Sequence, residues 1–568
     1  MGSGLSQGRI FFIKKWSFFF VFLSFFITFA SFFAPTFRRA LMPSDVTDVK
    51  SANLYQYKPM KRIFLFVLAL TVLTTAYAKR PSVVITVTNN RLQTITGFGA
   101  ACCYGAMEPF ANDTQPVKLL YGDESAIGLN IMRMEISPNF VGDVKVPEWG
   151  NWDTPYDWNG SLPSAKIVKQ RGGIVFGTPW SPPGDYKTNG TAQGGKSDSQ
   201  GNQEGRLRKD CYPKFFPWLN TFLKWMQEHG VDVDAVSVQN EPDWWVDYSG
   251  CLYTPDEQLE LVKNYAHLLD RETYKGVRLI SAEPLGFDPN YSNKLLNDPV
   301  ARDQVDIIAG HIYGHPPLVN LKNAARLAKQ YGKEVWMTEH SVSDNIGDRL
   351  PNWQEQLEFA QELNECLQAG CTGYIYWYMR AHWAFVSTGE TKYGDANRTK
   401  NKLLPRAYVY SHFAKNVTGS TLLESTCSYD LTTNAAVETS AFIKGDSLII
   451  MAINTLSSDR DFIMNLPFNV VSGDVLLSWG NASDELCQKY PVEIAEPVQR
   501  VTTELPAKSL ATYVFKIEGG GTGIKELLQN ADAGAKTYYD LQGRRLNNPH
   551  GVCIERSADG TSRKVIVE

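Results

Sequence analysis

The sequence predicts an α/β protein built on a (β/α)8 TIM barrel, with an all-β sandwich attached as a side domain. Three observations carry this reading. Short apolar, β-branched runs recur through the middle of the chain and are separated by helix-length segments, the alternation of parallel strands joined by crossover helices. From Thr421 to Ile517 the helical pattern gives way to strand-like runs separated by turn residues. Two of the central runs end in carboxylates, Glu241 and Glu339, and the carboxyl ends of parallel barrel strands form the working rim.

In chain order, Ser82 to Val87 alternates like a short strand, and Leu92 to Ala101, apolar and broken by glycines, is the first barrel strand. Ile131 to Pro138 is the second. Gly173 to Pro183 is the third, and its proline-rich end sets Trp180 at the rim. The fourth is Ala235 to Gln239. Pro242 lacks an amide hydrogen and disfavours helical geometry at Glu241, so the strand stops with Glu241 at its carboxyl end. Val277 to Glu283, Val305 to Tyr313, Glu334 to Glu339 and Gly373 to Tyr378 complete the eight, with Tyr212 to His229, Pro255 to Glu272 and Trp353 to Leu367 among the helices between them. In the sandwich, Ser447 to Asn454 and Ser509 to Lys516 are the clearest strands.

The domain limits that follow are 79–94 for a strand joining the sandwich, 95–415 for the barrel, 416–518 for the sandwich and 519–568 for a glycine-rich linker and tail. The tail is similar to carboxyl-terminal sorting tails on secreted proteins of Gram-negative bacteria. Residues 60–78 have a basic start, an apolar centre and an Ala76-Tyr77-Ala78 end, the form of a secretory signal peptide. The expected location is therefore secreted, cell-surface or periplasmic. Residues 1–59 then read as an upstream extension outside the working protein; because Trp16 to Phe33 has about the length of a membrane span, an anchor is the alternative.

Charge decides little: 56 basic residues against 60 acidic ones leave no evident basic field for nucleic acid, and no such partner is expected. Fourteen Trp and 26 Tyr, many beside Gly or Pro, suit a protein that stacks flat rings, although ordinary core filling uses the same residues. Nine cysteines without a Cys-x-x-Cys spacing exclude a zinc ribbon and a fully paired disulfide framework; Cys211 and Cys251 are a candidate pair.

Two glutamates on one rim among aromatic side chains are what cleavage of a glycosidic bond requires. One donates a proton to the leaving oxygen and the other attacks the anomeric carbon or activates water. Asn240 can bond a sugar hydroxyl, and Tyr313 and His340 can orient Glu339. His311 and His315 stand four apart without a third ligand at a set spacing, so neither metal nor cofactor is expected, and His311 is read as a strand-end contact near the substrate.

Gln239-Asn-Glu-Pro-Asp243 and Trp336-Met-Thr-Glu-His340, with Gly97-Phe-Gly-Ala100 and Thr178-Pro-Trp-Ser-Pro-Pro183, resemble glycoside hydrolase family 30. Ala309-Gly-His-Ile-Tyr-Gly314 and Tyr376-Trp-Tyr378 bring the match nearest to its xylanase subfamily. The resemblance spans about residues 81 to 517 and implies a secreted, monomeric, retaining endo-xylanase. In that reading Glu241 is the acid/base and Glu339 the nucleophile, with Trp180, Asn240, Trp244, Tyr248, Tyr313, Trp377 and Tyr378 on the sugar. Where glucuronate-dependent members carry an Arg after the position of Arg380, this chain has Ala381, and Ser341 and Asp344 replace the accompanying Tyr and Ser. Losing a bidentate Arg contact and gaining a carboxylate implies cleavage of xylan without a glucuronate branch. Another activity of the family, β-1,6-glucanase or β-glucosidase-like, and a glycan-binding protein without catalysis are the alternatives.

Overall fold

The computed structural model describes residues 80–568 except 104–112, 139–157, 195–204, 314–316, 342–351, 378, 381–383, 390–398, 430–435, 481–485, 520–536, 540–544, 547–550, 557–561 and 568. Eight parallel strands close a barrel in chain order: β2 (Gly97–Cys102), β3 (Ile131–Glu135), β4 (Ile174–Thr178), β5 (Ala235–Ser237), β6 (Arg278–Ile280), β7 (Ile307–His311), β8 (Glu334–Glu339) and β9 (Gly373–Tyr376). The predicted fold class is what the chain adopts. Inside, Ile131, Phe176, Ala235, Ile280, Ile307, Ala309, Trp336 and Ile375 form a closed apolar plug, with Phe176 edge-on to Trp336 at 5.6 Å between ring centres. Such a filled interior leaves the carboxyl-end rim as the place where polar side chains can converge.

The described helices are α1 (Gln115–Leu120), α2 (Trp158–Gln170), α3 (Tyr212–Glu228), α4 (Pro255–Tyr265), α5 (Pro289–Asn297), α6 (Pro299–Gln304), α7 (Pro317–Gln330), α8 (Trp353–Gln368) and α9 (Pro405–Val417). Thr254 and Asn352 open α4 and α8 with reciprocal capping boxes through Glu257 and Glu355. The helix expected to run to Glu272 stops at Tyr265 and tightens into a 3-10 turn over Ala266–Leu268.

The first barrel strand begins at Gly97, later than the apolar pattern suggested. Residues 82–94 form one strand, β1 (Ser82–Thr94), which belongs to the sandwich. It pairs antiparallel with β10 (Thr421–Cys427) and parallel with the first residues of β13 (Arg460–Trp479). The sheet continues β10, β11 (Val437–Lys444), β12 (Ser447–Asn454), β16 (Ser509–Ile517), β13 and β14 (Gln488–Val492), with β15 (Val498–Leu505) on β13, so that β13 closes the sheet back onto β1. A separate four-stranded sheet, β17 to β20, lies within residues 537–567.

Barrel and sandwich share one apolar core, in which Phe359, Leu363, Tyr410 and Phe413 of α8 and α9 join Phe442, Ile449, Met451 and Leu510 of the sheet. Polar contacts fix the junction. Trp353 Nε1 donates to the Lys508 carbonyl at 2.6 Å. Gln361 and Asn364 donate to the two oxygens of Glu438 at 2.7 and 3.0 Å. Fully buried His412 places Nδ1 2.8 Å from Thr512 Oγ1 and Nε2 2.9 Å from Ser478 Oγ. Cys211 and Cys251 are both buried free thiols, which corrects the candidate disulfide. No described helix is long and apolar enough to cross a membrane.

Candidate active site

β5 ends at Ser237, but its extension stays bound to the next strand. Glu283 N–H donates to the Gln239 carbonyl at 2.9 Å, and Glu241 N–H donates to the Glu283 carbonyl at 3.0 Å. Glu241 itself adopts a left-handed backbone with φ 40°, outside the right-handed helical geometry that the following Pro242 disfavours. Such a conformation in a non-glycine residue costs on the order of 1–3 kcal/mol. It is held by those bonds and by the turn from Trp244 N–H to the Glu241 carbonyl at 3.1 Å.

Glu339 ends β8 on the same rim. One oxygen of Glu241, one nitrogen of His311 and one oxygen of Glu339 all lie within 4.8 Å of one another. Retaining glycosidases hold their carboxyl groups about 5–5.5 Å apart and inverting ones roughly 6.5–9.5 Å, so this spacing belongs to the retaining geometry.

The two carboxylates have different surroundings. Arg133, fully buried on β3, donates from Nη1 to Glu339 Oε2 at 2.5 Å and from Nη2 to Asn240 Oδ1 at 2.7 Å. Tyr313 OH donates to the other Glu339 oxygen at 3.1 Å. Both partners of Glu339 are donors. Glu241 instead meets the imidazole of His311, Nδ1 to Oε1 at 3.0 Å. Burial raises the Glu241 carboxyl above its ordinary range, the charge of Glu339 adds to this, and His311 and Arg133 oppose it. For His311, burial alone would lower the value, yet Glu339, Glu241 and Glu283 together raise it to about 9. Its ring therefore offers N–H groups rather than a lone pair, which disfavours a cation at the Glu241, His311 and Glu339 cluster despite the convergence of donor atoms.

Beneath these groups, buried Glu283 accepts from Thr178 Oγ1 at 2.9 Å and faces Arg133 Nη2 at 3.1 Å and His311 Nε2 at 3.5 Å. Burial would raise its carboxyl, but Arg133 and His311 hold it down at about 2.

Trp180 is 3% exposed, lies 5.9 Å from Trp377 and carries the Arg133 guanidinium over its ring at 4.6 Å. Tyr248 and Trp377 pack against it. Trp180 thus forms the floor of the cleft more than an open platform. Trp244 and Trp245, stacked 6.1 Å apart and about half exposed, stand beside Glu241 in the chain. The two rim histidines make different contacts. His311, read as a strand-end contact near the substrate, is completely buried and turns its ring nitrogens to Glu241 and Glu283. His340 turns its Nδ1 to Glu362 at 2.8 Å rather than to Glu339, and its ring lies tilted against Tyr313 at 4.9 Å. Tyr378, Ala381, Asp344 and His315 lie outside the described residues. Arg133 and Glu283 were not anticipated as site residues. A lone Arg inside the apolar run Ile131-Met-Arg-Met134 was the available signal, because a strand buried on both faces cannot hold a guanidinium without anionic partners.

Residues 152–382 match the glycosyl hydrolase family 30 TIM-barrel domain. The barrel is a family 30 glycoside hydrolase domain. The chain is 26% identical over 399 residues to the glucuronoxylanase XynC of Bacillus subtilis, covering 69% of this chain and 82% of that protein. It is 23% identical over 337 residues to the endo-1,6-beta-D-glucanase BGN16.3 of Trichoderma harzianum, covering 53% and 64%. The crystal structure of a family 30 subfamily 8 xylanase from Clostridium acetobutylicum superposes with a TM-score of 0.60 at 29% identity, covering 77% of this chain and 99% of that one. The family 30 domain is accordingly that of an enzyme, and retention of anomeric configuration is characteristic of its family.

Proposed function

We propose that this enzyme cleaves β-1,4-xylosidic bonds within the xylan backbone by double displacement, with Glu241 as acid/base and Glu339 as nucleophile, and without needing a glucuronate branch. The observation that carries the roles is the contrast between two carboxylates less than 5 Å apart: burial raises the Glu241 carboxyl, favouring its proton-bearing form, while Glu339 accepts from Arg133 and Tyr313. Xylan as substrate is supported by the similarity to xylanases. Independence from glucuronate rests on Ala381 and Asp344 in the sequence.

In the first step Glu339 attacks the anomeric carbon while Glu241 protonates the departing glycosidic oxygen. Arg133 and Tyr313 fix the attacking oxygens, and Asn240, itself tied to Arg133, is placed to meet a sugar hydroxyl. Once Glu339 is esterified its negative charge is gone. One of the influences raising Glu241 disappears, and the His311 contact now favours the carboxylate. Glu241 then takes a proton from water, which attacks the anomeric carbon and frees Glu339. Export through the segment 60–78 is part of the proposal and is checked by amino-terminal sequencing of secreted product.

Digests of arabinoxylan and glucuronoxylan, resolved by mass, test the substrate assignment. The expected products are xylo-oligosaccharides from both, with branches at no fixed distance from the cut. Products that always end at one distance from a glucuronate would refute branch independence. Turnover of β-1,6-glucan with none of xylan would favour the activity of the Trichoderma relative.

A further inference from the structure

The two arms of the site converge on a side chain that neither step of the reaction uses. Glu283 is completely buried, yet it stays a carboxylate. Its Oε2 faces Arg133 Nη2 at 3.1 Å, and the other end of that guanidinium grips Glu339 at 2.5 Å. The same Oε2 faces His311 Nε2 at 3.5 Å, and the other nitrogen of that ring meets Glu241 at 3.0 Å. His311 Nε2 and Glu283 Oε2 are both buried without a hydrogen-bond partner and stand 3.5 Å apart, so the two meet as an ion pair and Glu283 is the anion on that side of the ring. Thr178 Oγ1 at 2.9 Å holds Glu283 from β4, and the Ser237 hydroxyl, which donates to the Ser281 carbonyl at 3.2 Å, lies beside it on β5. The groups facing it are therefore two cations, two hydroxyls and, through the cations, both rim glutamates. A buried guanidinium and a buried imidazolium without this anion would be two cations shared between Glu241 and Glu339 alone, free to re-pair with either.

We propose that Glu283 is a positioning residue, the shared anionic anchor that holds His311 against Glu241 and Arg133 against Glu339 and so sets the alignment of both catalytic carboxylates. This rests on the assignment of Glu241 and Glu339 made above. The anchor works from the side chain alone, because the backbone contact to Glu241 runs through the Glu283 carbonyl and survives substitution.

The test is Glu283→Gln, which keeps shape and removes charge, beside Glu283→Asp, in the full chain. Each is assayed on aryl xylosides with activated and with poor leaving groups across pH, with melting temperature measured in parallel. Losing charge-assisted contacts to both cations should lower kcat/KM on the order of 10- to 100-fold for both substrates. The loss should be larger for the poor leaving group, which needs the Glu241 proton. Removing a negative charge beside the coupled Glu241 and His311 pair makes the pair give up its protons sooner, so the alkaline limb of kcat/KM should move to lower pH. Glu283→Asp should restore the limb toward its parental position. A folded Glu283→Gln enzyme with the parental limb and the parental ratio between substrates would overturn the proposal, whatever its melting temperature. Glu339→Gln measured alongside keeps the two readings apart: full turnover in that variant would refute the catalytic assignment itself, and the anchor with it.

Discussion

Replacing His412 tests whether the junction between barrel and sandwich is held by a neutral buried imidazole. His412 lies on α9, and its two ring nitrogens reach Thr512 on β16 and Ser478 on β13. Burial pushes its pKa from 6.5 down to about 3. An unfolded chain takes up a proton at this ring below pH 6.5 and the folded one only near pH 3, so unfolding binds a proton throughout that window. The contribution to stability is therefore complete above pH 6.5 and is lost as pH falls toward 3. One proton is worth about 1.4 kcal/mol per pH unit, so lowering the pH to 5 removes about 2 kcal/mol and to 4 more than 3 kcal/mol. His412→Gln keeps one hydrogen bond and should cost about 1–3 kcal/mol at pH 7 by orphaning one hydroxyl. The informative quantity is the slope. Urea unfolding followed at half-unit steps from pH 7 to pH 4 should give a parental stability that falls more steeply than that of the variant. Parallel lines for parent and variant would refute the neutral, buried imidazole.

Glu438, across the same junction, has the opposite sign: burial and then the charge of Glu365 raise its carboxyl from 4.5 to about 7. Its stabilising share is present below pH 4.5 and lost as pH rises through 7, so it offsets part of the acid decline in the same urea series, and Glu438→Gln should make stability fall more steeply from pH 7 to pH 5. Glu241→Gln should lower kcat/KM on xylan by about 10²–10⁴ through loss of the proton donor, and far less on a dinitrophenyl xyloside; equal losses on both would contradict the acid/base role. Gly99→Ala would set a Cβ 2.1 Å from the Ile131 carbonyl oxygen on the neighbouring strand. The barrel cannot yield there without breaking its β2 to β3 pairing, so soluble yield should collapse, and a well-folded variant would show the approach to be looser than described.

The barrel was legible because each strand is a short apolar run closed by Pro, Gly or a polar residue, and those stops are local chemistry. β1 was misjudged at one end for a related reason: Leu92-Gln-Thr94 runs without a stop into the apolar Ile95 to Ala101, and only the pairing of Arg91 with Leu423 and of Thr94 with Thr421 assigns it to the sandwich. Glu241 and Glu339 were legible as strand ends with a known partner chemistry. His340 was placed near the right neighbour but with the wrong contact, since spacing along a strand says which side a residue faces and nothing about the rotamer it takes. Arg133 and Glu283 lie in runs that were located as strands, yet their value lies in distant partners: Arg133 reaches Asn240 and Glu339, 107 and 206 residues on, and Glu283 meets Thr178, 105 residues back. That information is absent from any one stretch of chain.

The sandwich is assembled from both ends of the described fold, with the amide of Val84 on β1 bonded to Ser428, 344 residues later. At about 5–20 residues per second of synthesis, that first strand waits roughly 20 to 70 s for the partners that cover it. For that time its 13 residues expose an unpaired edge beside a barrel still under construction. A barrel expressed from residue 96 onward would leave β10 and β13 with the same open edge permanently, so aggregation rather than loss of chemistry should be the first symptom of trimming this enzyme to its catalytic half.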